Sequence, residues 1–124
     1  MENQQEPYLE EYKAFISSYK SGQTSGEQIG EVISRMAQYF AEKNMILAVR
    51  EEQLNKIAAS VVQQEDESSG KQISVAKADI LIKATEEYTN VKNVKMHLEN
   101  IEQFINAMKY FQKGVLNEYS HMGL

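Results

Sequence analysis

Few residues of this chain have the type and spacing to do chemistry, and they are scattered. Glu118 and His121 stand at the Glu-x-x-His spacing used by helical di-iron carboxylate bundles. Such a site takes a second pair of that kind and two further glutamates facing inward, and the sequence holds no second pair. His97 lies too far from His121 along a helix to share an ion with it. The adjacent pairs Glu51-Glu52 and Glu86-Glu87 point to different parts of a helix surface, so they do not converge as an acid and a base would. The triplet Glu65-Asp66-Glu67 lacks the ligand spacing and glycine placement of a calcium loop, and reads as a solvated hairpin tip. There is no glycine-rich phosphate loop, no serine in a nucleophile elbow and no cysteine. The expectation is a chain without catalytic, cofactor-binding or metal-binding residues, and not an enzyme.

What remains is charge and apolar periodicity. Lys43 and Arg50 are seven residues apart and interrupt an otherwise apolar seam. Two readings stay open for them. Met45, Ile46 and Val49 could turn the buried face so that both cations snorkel to solvent. Alternatively, the cations line a concave oligomer surface and meet an anion such as a nucleic-acid backbone. Tyr8, Tyr12, Phe15 and Tyr19 recur at steps of four, three and four. Such a stripe could stack bases, but bundles bury aromatics at this spacing, and core or interface packing is the reading taken.

The elements that must position these residues are helices. The 124 residues, 42% hydrophobic, leave room for one domain, whose core is sufficient if chains share it. One proline, no tryptophan and no sustained strand-type alternation favour an all-α chain. Pro7 suits a first helical position and opens a short helix over about 6–20. Ser25 and Gln28 form a capping box for a long helix over about 26–64. Ile33, Phe40, Leu47, Leu54 and Val61 recur there at seven-residue intervals, with Met36 and Ile57 on the complementary position. An acidic, glycine-containing turn at about 65–72 reverses the chain, and Ser74 caps a third helix expected to run unbroken over about 73–119.

That last stretch carries its own seam: Ile80, Ala84, Val91, Val94, Leu98, Ile101, Ile105 and Met108, then Val115 and Tyr119, with Glu87 and Gln112 out of pattern. A helix of this length would be about 70 Å long, so much of it must lie against another long helix or another chain. The expected architecture is a single helical domain: an antiparallel, coiled-coil-like hairpin of two long helices with a short leading helix, oligomeric because that helix cannot cover both seams. Charge flanks the second seam in blocks, Lys92 and Lys95, then Glu99 and Glu102, then Lys109 and Lys113, which resembles a device for fixing register against a neighbouring helix.

The formal net charge of −5 argues against a surface dominated by phosphate neutralisation. The lack of cysteine fits a reducing compartment, and neither an 18-residue apolar run nor an apolar leader is present. A cytoplasmic protein with no membrane partner is expected.

The order of elements, the Gly/Ser/Asp/Glu-rich turn, and Ser74-Val-Ala-Lys-Ala-Asp79 opening a helix with Tyr88 and heptad-spaced apolar residues resemble small phage recombination mediators of the UvsY type, over roughly Gln28 to Tyr119. The resemblance implies a ring-like homo-oligomer that binds single-stranded DNA and helps load a recombinase. It places Lys43, Arg50 and Lys56 on the corresponding helix as candidate DNA contacts. The alternative is an oligomeric adaptor that works through protein contacts alone: a virion or assembly factor, or an inhibitor of a host defence complex, with an unidentified protein partner.

Overall fold

The computed structural model describes residues 6–121, with side chains over 6–117, and within them the chain is all helical apart from its turns. The helices are α1 (Pro7–Lys20), α2 (Gly26–Val62), α3 (Val75–Lys83) and α4 (Glu86–His121). Contacts divide the chain into two compact units. Unit 1 takes the chain up to Glu42 and again from Glu99; unit 2 is Lys43–Leu98. In both, α2 and α4 run antiparallel, so the expected hairpin is present.

The ends of the elements follow their local chemistry. α1 closes in a Schellman arrangement, with Gly22 N–H bonding Tyr19 O at 3.1 Å and Gln23 N–H bonding Ser18 O at 3.2 Å. That geometry needs a left-handed residue, and Gly22 sits at φ +74°. Ser25 and Gln28 exchange the two bonds of a capping box, at 2.8 and 3.2 Å. Ser74 accepts from Lys77 N–H at 3.2 Å and caps α3.

The helix expected unbroken over about 73–119 is two helices. Thr85 Oγ1 donates to Ile82 O at 2.6 Å, closing α3, and accepts from Tyr88 N–H at 3.2 Å, capping α4. Glu86 and Glu87 then occupy the first turn of α4, where carboxylates meet the positive end of the helix dipole. The break corrects the seam at its start: Ile80 is 68% exposed and Ala84 is also exposed, so the buried line begins at Val91.

Unit 1 packs three helices. α1 lies on the first part of α2 and the last part of α4 around Tyr8, Phe15, Ile29, Met36, Ile101 and Met108. The aromatic stripe of α1 is core: Tyr12 stacks on Phe104 at 3.9 Å between centroids and 4° between planes, and Tyr19 meets Phe111 at 4.5 Å. Polar ties hold the rim. Glu11 pairs with Arg35, and Gln112 Nε2 donates to Gly26 O at 3.2 Å.

Unit 2 packs the rest of α2 against α3 and the start of α4, burying only Val61, Ala78, Val91, Val94 and Leu98. The acidic turn is a hydrogen-bonded hairpin with an antiparallel bridge between Glu65 and Gln72. Asp66 organises it by accepting from Ser68 N–H at 2.9 Å, Ser68 Oγ at 2.7 Å and Lys77 Nζ at 2.6 Å. Gly70 supplies the left-handed residue at φ +68°.

Candidate interaction surface

Ten residues of the two seams divide between the units. Ile101 and Met108 are buried in unit 1, with Ile33, Phe40 and Ile105 half-buried and packed against the same core. In unit 2, Val91, Val94 and Leu98 are buried and Leu47 and Leu54 half-buried. Glu118, Tyr119 and His121 have side chains outside the described residues. Among the described residues no group of three or more His, Cys, Asp or Glu side chains could hold a metal ion.

Of the three candidate DNA-contacting cations, the fold brings two together. Arg50 and Lys56 line one groove of unit 2 with Gln53 and Ile57 of α2, and Glu86, Glu87 and Asn90 of α4 face them there. Lys43 does not line it and is half-buried elsewhere on α2. Arg50 Nη1 donates to Gln53 Oε1 at 3.3 Å, and Lys56 Nζ is 3.4 Å from Glu52 Oε1. The groove therefore carries carboxylates as well as cations. A phosphate chain laid along it would meet Glu86 and Glu87, and each unfavourable pairing offsets a favourable one.

Met45, Ile46 and Val49 do not turn the buried face of α2, as the first of the two readings for Lys43 and Arg50 had it. They are 72%, 41% and 55% exposed. Val75, Ile80 and Leu81 on α3 and Met96 on α4 are exposed as well. The sequence signal for this surface was present in the off-seam positions of the first three residues. Reading it required knowing that no helix in unit 2 covers them as α1 covers unit 1.

The resolved electrostatic shifts lie away from the groove. Hydrogen bonds from Lys77 and Ser68 hold the Asp66 carboxyl well below the usual carboxylate range. Asp79 pushes Lys83 up. Burial pushes the Tyr8 and Tyr12 phenols up, with Asn100 Nδ2 donating to Tyr8 Oη at 3.5 Å and partly offsetting the first.

No protein-family model, curated protein or solved structure matches the chain. Among the described residues no helix is long and apolar enough to cross a membrane.

Proposed function

We propose that this chain is a non-enzymatic accessory protein that works by protein contact, an adaptor or assembly factor whose unit 2 receives an amphipathic helix of a partner protein. The observation that carries this reading is the number of large apolar side chains that unit 2 leaves exposed: Met45, Ile46 and Val49 on α2, and Ile80 and Leu81 on α3. Large apolar side chains left in water cost solubility, and where they gather they mark interaction surfaces. The choice of a helix as occupant rests on unit 1, where α1 covers the same pair of helices by inserting one apolar face.

One observation favours a second reading. Arg50 and Lys56 share a groove, and a single-stranded DNA backbone lying there would make the protein a recombination mediator that helps load a recombinase. Fluorescence anisotropy of a labelled single-stranded oligonucleotide, titrated at low and at physiological salt, separates the two. The protein-contact reading expects no binding at micromolar protein in low salt. Binding that falls steeply with salt and is lost in Arg50→Gln/Lys56→Gln would replace it with the mediator.

A further inference from the structure

One face of α4 in unit 1 carries charge that no ion pair among the described residues uses. Glu99, Asn106 and Lys113 are seven residues apart, and Glu102 and Lys109 follow the first two by three residues. At 100° per residue these five form one stripe, on the side of α4 away from Phe104 and Phe111, whose rings meet α1. All five are exposed. Beside them Tyr110 is 76% exposed, an aromatic ring left largely in water. Among the described residues none of the four charges has an ion-pair partner in its own chain.

The order of the charges is informative. The stripe is acidic in its first half and basic in its second, so it is complementary to itself when turned end for end. We infer that unit 1 pairs with a second copy of this chain through an antiparallel, two-fold contact of α4 with α4.

With the axis at Asn106, Glu99 of each copy faces Lys113 of the other. Glu102 faces the level of Tyr110, one residue and about 1.5 Å from Lys109, which a lysine side chain spans. Asn106 meets its own copy, and an amide pair can donate and accept across a two-fold. A parallel pairing would set glutamate on glutamate and lysine on lysine, so charge selects the orientation. The four reciprocal pairs fix orientation and register, and the two Tyr110 rings supply apolar area at the flanks. Exposed ion pairs are screened by salt, so the contact is salt-sensitive.

The test is sedimentation equilibrium of the full chain at low and at high salt, with helicity checked by circular dichroism. The wild type is expected to be a reversible dimer that weakens at least tenfold at high salt. Lys109→Glu/Lys113→Glu makes the stripe all acidic and Glu99→Lys/Glu102→Lys makes it all basic. Each alone should weaken self-association at least tenfold with helicity unchanged. An equimolar mixture of the two should dimerise again, which misfolded variants would not do. A wild type that is monomeric at low salt overturns the inference, as does a mixture that stays monomeric. If reversal of Lys109 and Lys113 has no effect while reversal of Lys92 and Lys95 dissociates the dimer, the proposed register is overturned.

Discussion

The same two helices, α2 and α4, build both halves of this protein, yet the halves differ in what covers them. In unit 1, α1 adds a third apolar face, and Ile29, Met36, Ile101 and Met108 reach 0% exposure. In unit 2 the third element is the nine-residue α3, and the largest buried side chain, Leu98, keeps 8% of its surface in water. Two helices meeting along a seam bury one side of each residue, and a third closes the other. Unit 2, with its short third element, leaves Met45, Ile46, Val49, Val75, Ile80, Leu81 and Met96 exposed.

The largest expected difference is in core truncation. Ile101→Ala should cost about 3 kcal/mol, because a fully enclosed side chain leaves a cavity, whereas half-buried Leu54→Ala should cost about 1 kcal/mol. Urea denaturation of the two variants checks this. Equal costs would mean that the seam of unit 2 is covered after all, in solution by another copy or partner.

Caps come next. Thr85→Ala removes the hydroxyl that both closes α3 and starts α4, and should destabilise by about 1 kcal/mol. A similar loss of about 1 kcal/mol is expected for Gly70→Ala and for Gly22→Ala. A methyl group meets nothing within 4 Å at either glycine, so only the left-handed backbone opposes it. Loss of amide protection confined to unit 2 in Gly70→Ala, and to unit 1 in Gly22→Ala, would sharpen the division. A global loss in both would dissolve it.

Titration offers a finer probe of the same contrast. The buried Tyr8 phenol titrates above its ordinary value of 10.0, so the folded state holds a proton that the unfolded chain releases. Its contribution is complete below about pH 10 and is lost as the pH rises further. Denaturation midpoints should fall between pH 9 and 11, and Tyr8→Phe should flatten that fall. The smallest effect is at the turn of unit 2. Asp66 is depressed by Lys77 and Ser68, so its contribution is present above the ordinary carboxylate value of 3.8 and lost as the pH falls below it. Amide protection of Gly70 should weaken between pH 5 and pH 2.5, and Asp66→Asn should remove that dependence while leaving unit 1 amides unchanged.

The amino-acid sequence by itself determined the helices and most of their ends. Seven-residue apolar spacing, Pro7, the Ser25/Gln28 box, Ser74 and the polar turn are local signals, and hydrogen bonds within one turn of helix decide them. Thr85 followed by Glu86 and Glu87 was equally local and readable as a helix start, but the apolar repeat running through Ile80 and Ala84 masked it. Tertiary structure alone decided which seam residues close into a core and which apolar residues stay in water. It set Arg50 and Lys56 opposite Glu86 and Glu87, and it left Met45, Ile46 and Val49 exposed. Periodicity specifies the face a helix offers, whereas burial depends on a second surface arriving from a distant part of the chain. α1 is long enough to supply one to unit 1, and the nine residues of α3 leave unit 2 open.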